Sequence, residues 1–254
     1  MRDRRGMGRL VRGTMRAARG DPRFVLTALA DRAADVRALG EEFPGLGVAP
    51  SRSARRAGAY DVVWFPFNGM RYPVAARAVV SIYDAFAFTE PHRDRIARFR
   101  EQAPIRRAAR EATRFATISA WSRAEIARAL GIAADRIDVI PPAPDPFWFP
   151  GPADALPPQL EDARFALLVG AREARKNARV AIEACARAFD DPREWLVVAG
   201  ALNDADRAYA RACGVRSGEI AASDAMLRAL YRGAGVVLVP SLAEGFGLVA
   251  AEGL

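Results

Sequence analysis

Short apolar runs rich in β-branched residues alternate with segments of helical periodicity along the first half of the chain. The alternation predicts strands at 23–29, 61–66, 78–83, 115–119 and 136–140, and helices at 7–19, 92–114 and 122–130. Ser122 and Glu125 fit a capping box at the start of the last of these helices. Strands that alternate with helices are typical of parallel sheets covered by helices on both faces, so the pattern predicts an α/β fold.

The same alternation restarts near residue 161. It predicts strands at 164–169, 195–199 and 235–239, helices at 177–189 and 224–232, and a last helix that begins at Leu248. Two separate series of alternating elements indicate two α/β domains, each with its own parallel sheet.

A proline-rich segment lies between the two series. Residues 141–158 contain eight of the 17 prolines, together with Phe147, Trp148 and Phe149. Because proline lacks a backbone donor and fixes φ, this density excludes a helix or an inner strand. The predicted organisation is an N-terminal domain at 1–143, a linker at 144–160 and a C-terminal domain at 161–254.

The composition is that of a globular protein and gives no sign of a membrane span or a secretory signal. Of the 254 residues, 51% are hydrophobic and 9% aromatic, which is ordinary for a globular protein. No apolar run approaches the ~20 residues that cross a bilayer, and the arginine-rich N-terminus lacks the apolar core of a secretory signal. Cys185 and Cys213 are too few for a disulfide framework. They are expected to be reduced, which predicts a cytoplasmic location.

The chain is strongly basic, with a net charge of +8, and Lys176 is the one lysine among its 38 Lys and Arg residues. A basic surface attracts polyanions. The basic segments 7–19 and 93–114 predict solvated amphipathic helices and leave open weak peripheral contact with an anionic membrane. A nucleic-acid-binding protein is an alternative that rests on charge alone. No basic patch alternates with stacking aromatics, so no nucleic-acid partner is predicted.

The segment 240–252 has the pattern of a ligand-binding loop between a strand and a helix. Gly245 and Gly247 let the backbone approach a ligand closely and tolerate positive φ. Backbone amides at a helix start, here near Leu248, favour an anion such as a phosphate.

Two carboxylates, Glu244 and Glu252, bracket this loop with seven residues between them. Glu252 falls about one turn into the predicted helix, where its oxygens are acceptors suited to sugar hydroxyls. The alternative is a turn and a core helix whose two glutamates face solvent.

A second loop, 170–177, also lies between a predicted strand and a predicted helix. Ligands of open α/β sheets bind at the carboxyl ends of strands. The adjacent Arg175 and Lys176 can neutralise a diphosphate there. The alternative is a loop whose basic side chains are merely solvated.

These segments resemble retaining family 4 glycosyltransferases. Residues 244–252 resemble the family's Glu-x7-Glu donor motif with its Glu-Gly-Phe-Gly core. Residues 173–177 resemble its Glu-Pro-Arg-Lys-Asn loop, and residues 118–142 resemble the segment joining its two domains. The resemblance implies a GT-B fold of two Rossmann-like domains, the second incomplete. It also implies transfer of a hexose-type sugar from a nucleoside diphosphate sugar to an acceptor hydroxyl, with retention of configuration.

The resemblance also assigns roles to residues. The predicted site residues are Arg175, Lys176, Glu244, Gly245, Phe246, Gly247, Leu248 and Glu252. By this resemblance, Arg175, Lys176 and the amides after the loop stabilise charge on the leaving diphosphate. Glu244 and the loop backbone contact the donor sugar, and Glu252 binds the ribose hydroxyls. No cofactor or metal is implied. The expected acceptor is a glycan, a lipid-linked molecule or a small molecule.

Some features depart from the family pattern. Tyr83 stands where a histidine is common near the reacting sugar, and tyrosine does not titrate near neutral pH. Residues 1–5 predict no first strand, and the chain stops two residues after Glu252, so a sequence truncated at both ends is expected. The single histidine, His92, opens a predicted helix and gives no zinc constellation. A non-catalytic nucleotide-sugar-binding remnant is therefore an alternative.

Overall fold

The computed structural model of the chain describes residues 6–90, 94–152 and 154–254. The predictions for residues 1–5 and for His92 lie outside these ranges. The chain divides into two compact units, Met1–Pro142 and Ala143–Leu254.

The first unit contains two parallel sheets. Its elements are α1 (Gly6–Gly20), β1 (Thr27–Leu29), α2 (Ala33–Glu42), β2 (Gly47–Ala49), β3 (Val62–Phe65), β4 (Arg77–Ser81), α3 (Phe86–Thr89), α4 (Arg95–Glu111), β5 (Arg114–Thr117), α5 (Ala120–Leu130) and β6 (Ile137–Val139). Strands β1 and β2 form a two-stranded sheet, and β3, β4, β5 and β6 form a four-stranded sheet in that order.

The core of the first unit follows the periodicity of its elements. On β4, Ala78 and Val80 are buried two positions apart, and on α4, Ile105 and Ala108 are buried three positions apart. These side chains meet Phe115 of β5 in one apolar cluster. Since alternate strand residues and every third or fourth helix residue share a face, both patterns direct apolar groups to the same layer.

The second unit contains a single parallel sheet. Its elements are β7 (Arg164–Val169), α6 (Ala178–Ala188), β8 (Glu194–Ala199), α7 (Asp204–Ala212), β9 (Ser217–Ile220), α8 (Asp224–Gly233), β10 (Val236–Leu238) and α9 (Leu248–Glu252). The strand order is β10-β7-β8-β9. Successive side chains of β7 enter different clusters: Leu168 packs with Ile182 of α6, and Leu167 packs with Leu230 of α8. The sheet is therefore covered on both faces, as in a Rossmann-like unit.

The strand order places a topological switch point beside β7. The chain runs outward from β7 to β8 and β9 and then returns to add β10 on the other side of β7. The loops that follow β7 and β10 consequently start at neighbouring strand ends and lead to helices. Ligands of open α/β sheets bind in such a crevice.

Residues 144–160, predicted as a linker, lie within the second unit and pack against its α8. The Trp148 ring meets the Tyr231 ring edge-on, with 5.8 Å between ring centroids. The Asp154 carboxylate accepts hydrogen bonds from Arg228 and Arg232 of α8. These contacts attach the proline-rich segment to one side of the second sheet.

The predicted α/β fold with parallel sheets is confirmed. Strand β7 has the predicted bounds, whereas the strand predicted at 23–29 is reduced to Thr27–Leu29. Elements α2, β2, α3, α7 and β9 were not predicted. Within the described ranges, no helix has both the length and the apolar character needed to cross a bilayer.

The predicted start of α5 is wrong. The helix begins at Ala120, and its N-cap is Ser119, whose Oγ accepts a hydrogen bond from the Ser122 amide at 3.0 Å. Ser119 lies two residues after the end of β5 and has an extended backbone, which is the conformation that an N-cap requires. Glu125 pairs with Arg128 on the next turn.

Candidate functional site

The loops after β7 and β10 contact each other through backbone and side-chain hydrogen bonds. The Leu242 amide donates to the Arg175 carbonyl oxygen at 2.8 Å. The Asn177 side-chain amide donates to the Pro240 carbonyl oxygen at 3.2 Å. Asn177 itself adopts a left-handed conformation, with φ of 53°, where the loop turns into α6. Two segments that the sequence marks separately thus form one structure.

A cluster of charged side chains joins the two loops. Lys176 Nζ lies 2.6 Å from Glu244 Oε1, and Arg175 Nη1 lies 3.5 Å from Glu244 Oε2. Arg175 also donates to the Ala243 carbonyl oxygen at 3.3 Å and pairs with Glu173. The cluster therefore combines two cations and two carboxylates at the carboxyl ends of neighbouring strands.

Glu244 is the central member of this cluster. Burial raises the pKa of its carboxyl group, but hydrogen bonds from Lys176 and Ser241 and the charges of Lys176 and Arg175 outweigh that effect. The pKa of Glu244 consequently lies below its ordinary value, and the carboxylate is ionised at neutral pH. Ser241 is a partner that the sequence reading missed. Its only sequence signal is its place in the turn after β10.

The glycine loop between Glu244 and α9 is partly exposed to solvent. Gly247 has φ of 84° and forms the N-cap of α9, which begins at Leu248. A side chain at Gly247 would find space, so the backbone conformation is the reason that glycine is needed there. Phe246 is exposed, while Gly245 and Leu248 are partly buried.

Glu252 lies on the inner side of α9. It is only 7% exposed, and its Oε2 accepts a hydrogen bond from the Tyr231 hydroxyl of α8 at 3.3 Å. Glu244, with 26% of its side chain exposed, is also partly covered. The alternative in which both glutamates face solvent is therefore wrong. Nothing in the sequence indicated the role of Tyr231, because a buried tyrosine on α8 looks like an ordinary core residue.

Comparison with known proteins identifies the family. A family model described as Family 4 Glycosyltransferase in conflict systems matches residues 70–254, which include both loops. The chain belongs to this glycosyltransferase family. No curated protein matches its sequence.

Solved structures share the fold of this glycosyltransferase. Anabaena HepE in complex with UDP and glucose matches with a TM-score of 0.61 and 15% identity, over 98% of this chain and 74% of HepE. A glycosyltransferase from Rickettsia africae matches with a TM-score of 0.60 and 13% identity, over 98% and 72% of the two chains. The predicted GT-B-like α/β fold is thus shared with solved glycosyltransferases.

In the first unit of this glycosyltransferase, Tyr83 follows β4 as a buried residue. Its hydroxyl donates to the Pro66 carbonyl oxygen at 2.8 Å, and its amide donates to Asn68 Oδ1 at 3.0 Å. Burial raises the pKa of Tyr83 to about 12, even though a hydrogen bond with Ser81 lowers it. Tyr83 is therefore protonated at neutral pH and joins neighbouring segments.

Asp84 caps the turn that leads into α3, because its Oδ1 accepts a hydrogen bond from the Phe86 amide at 3.1 Å. Among the residues that the structure describes, no group of three or more His, Cys, Asp or Glu side chains is arranged to hold a metal ion.

Proposed function

We propose that this glycosyltransferase transfers a hexose-type sugar from a nucleoside diphosphate sugar to an acceptor hydroxyl, with retention of configuration. The observation that supports this proposal most directly is the pair of cations, Arg175 and Lys176, beside Glu244 at the switch point of the second sheet. Two neighbouring positive charges can neutralise a diphosphate, and Arg175 and Lys176 provide them at this place.

In the proposed donor complex, the diphosphate lies between the two cations and the amides near Gly247 and Leu248. These groups stabilise the negative charge that develops on the departing diphosphate as the bond to the sugar breaks. Because they are fixed by two loops that already contact each other, little reorganisation accompanies the reaction. No protein nucleophile is part of the proposal.

The remaining predicted residues are proposed to orient the donor. Glu244 and the backbone at Phe246 and Gly247 would contact the sugar hydroxyls. Glu252 would accept hydrogen bonds from the ribose. The Tyr231 hydroxyl fixes the Glu252 carboxylate, and burial strengthens any hydrogen bond that it accepts. HepE was solved in complex with UDP-glucose, which makes that nucleotide sugar the first donor to test.

The acceptor is proposed to be a glycan, a lipid-linked molecule or a small molecule. The protein is proposed to act in the cytoplasm, with weak peripheral contact to anionic lipid. The observation that favours such contact is the start of α4, where Ile96 is 63% exposed and Phe99 is 71% exposed. The neighbouring Arg95, Arg98 and Arg100 are exposed as well, so apolar and cationic groups occur together.

Donor binding tests the proposal. The protein would be titrated calorimetrically with UDP-, GDP- and ADP-sugars, and one of them is expected to bind. Replacement of Lys176 by Ala should weaken that binding by about tenfold or more, because a charge-assisted contact with the diphosphate is lost.

The matched control is Arg172→Ala, which removes an exposed cation from the same loop and should leave the affinity nearly unchanged. Failure of all three donor classes to bind, or unchanged affinity in Lys176→Ala, would overturn the proposed function.

The structure also suits a second candidate, a nucleotide-sugar-binding protein without transferase activity. The observation that favours it is Tyr83, whose buried hydroxyl is occupied by the Pro66 carbonyl oxygen. This candidate predicts donor binding with neither transfer nor hydrolysis of the sugar. Release of nucleoside diphosphate from a bound donor would exclude it.

A further inference from the structure

The charged cluster between the two loops already pairs its cations with carboxylates. Glu244 lies against both Lys176 and Arg175, while Glu173 pairs with Arg175 from the other side. Formal charges of two cations and two carboxylates cancel. A phosphate group that binds these cations must therefore compete with protein carboxylates for them.

The two carboxylates differ in how firmly they hold the cations. The side chain of Glu173 is 55% exposed, and an ion pair so open to solvent is worth little. Glu244 is 26% exposed and its partner Lys176 only 15%, so water screens that pair less. Glu244 is consequently the stronger competitor.

We propose that Glu244 is an internal competitor at the anion site: a nucleoside diphosphate binds Lys176 by displacing the Glu244 carboxylate, whereas a nucleoside monophosphate does not displace it. This inference rests on the proposed donor site. A diphosphate offers a second charged phosphate group and more acceptor oxygens, so it can replace what the cations lose when Glu244 leaves. A monophosphate lacks that second group. The ion pair therefore lowers the affinity of the site for a diphosphate and leaves its affinity for a monophosphate nearly unchanged.

The proposal predicts that one substitution within the site raises the affinity for a diphosphate. In Glu244→Gln the carboxylate charge is lost, and the partly buried Lys176 keeps a charge that is poorly compensated. A bound diphosphate relieves that cost and no longer has to displace a carboxylate. The variant should therefore bind the diphosphate more tightly than the wild type does.

The experiment compares free nucleotides, which carry no sugar and so are insensitive to sugar contacts of Glu244. UDP, GDP and ADP are titrated calorimetrically at about pH 8, where their phosphates are ionised. The nucleotide that binds is then compared with its own monophosphate. The proteins are the wild type, Glu244→Gln, Glu173→Gln and Glu161→Gln. Glu161 is exposed and precedes the opposite end of β7, so its variant controls for a general change in charge.

The expected result is a diphosphate affinity at least about fivefold higher in Glu244→Gln, from loss of an ion pair worth roughly 1 kcal/mol. Monophosphate affinity should change by less than about twofold, and the two control variants should each change diphosphate affinity by less than about twofold. Thermal melting checks that each variant is folded. If Glu244→Gln unfolds, Glu244→Asp, whose shorter side chain weakens the pair, should show a smaller gain in the same direction.

Two results would overturn the inference while leaving the donor site intact: unchanged or weaker diphosphate binding in Glu244→Gln, or an equal gain for the monophosphate. Absence of diphosphate binding in every protein of the set would instead overturn the donor site, and the inference with it.

Discussion

At the scale of single residues, the proposed donor site contains an ion pair whose members are far apart in sequence. Lys176 and Glu244 are separated by 68 positions, and their side chains meet at 2.6 Å. Hydrogen bonds from Lys176 and Ser241 hold the Glu244 carboxylate beside the cations. The same contacts that prepare the site for an anion also contribute to the stability of the fold.

The contribution of Glu244 to stability should depend on pH. Its pKa in the folded protein lies below the ordinary value of 4.5, so the ionised form stabilises the fold above that value. That stabilisation is lost as the pH falls through the lowered pKa. Thermal melting of the wild type and Glu244→Gln should therefore show a difference at neutral pH that shrinks as the solution is acidified.

Glu161→Gln provides the control, because its exposed carboxylate lies away from the cation cluster. The difference in melting temperature between Glu161→Gln and the wild type should stay small at every pH. A Glu244→Gln difference that grows on acidification would contradict the assigned direction of the pKa shift.

At the scale of elements, the site is built where strands end and helices begin. Gly247 changes the chain direction between the loop after β10 and α9 through a left-handed backbone conformation. Asn177 does the same between the loop after β7 and α6. Each loop thus presents its functional groups immediately before a helix.

Replacement of Gly247 by Ala should disturb this geometry. An alanine in the left-handed region costs about 1 kcal/mol, and the loop can avoid that cost only by moving its amides. We expect lower thermal stability and weaker binding of the nucleoside diphosphate sugar, measured by melting and calorimetry.

Gly235→Ala is the matched control for that substitution. Gly235 precedes β10 and does not have a positive φ, and an added Cβ would find its nearest neighbour, the Phe165 carbonyl oxygen, at 3.7 Å. Equal effects of the two substitutions would show that the conformation of Gly247 is unimportant.

Strands β7 and β2 show how burial affects what the sequence predicts. Strand β7 is apolar at five successive positions and was predicted with its observed bounds, because a strand buried on both faces needs no alternation. Strand β2 has only three residues and none of them is fully buried, so its apolar signal is weak. The local sequence indicated the two loops that are proposed to bind the donor. It did not show that Lys176 contacts Glu244, because that contact requires β10 to pair with β7.

At the scale of the whole molecule, the net charge of +8 is the property that the proposed fold and donor site do not explain. Part of this charge lies on the exposed start of α4, beside Ile96 and Phe99. Apolar groups next to arginines are suited to the surface of an anionic bilayer.

Contact with a membrane should therefore depend on electrostatic attraction and take place through the start of α4. Vesicles that contain phosphatidylglycerol should bind the protein, and binding should fall as salt is raised, because surface charges are screened. Phe99→Ala and Arg98→Glu should each reduce sedimentation with these vesicles. Phe24→Ala, which removes another exposed aromatic ring of the first unit, should not. Equal binding to uncharged phosphatidylcholine vesicles, or no effect of the α4 substitutions, would refute contact through this helix.

The pairing of β10 with β7 has a consequence for biosynthesis. Val236 pairs with Ala166, so the strand that brings the two loops together leaves the ribosome long after its neighbour. A nascent polypeptide can join β7, β8 and β9 early, yet the two loops cannot meet until the glycine loop has been translated. A nucleotide in the cell would then favour the final docking step and shorten the time during which one edge of β7 is open to other chains.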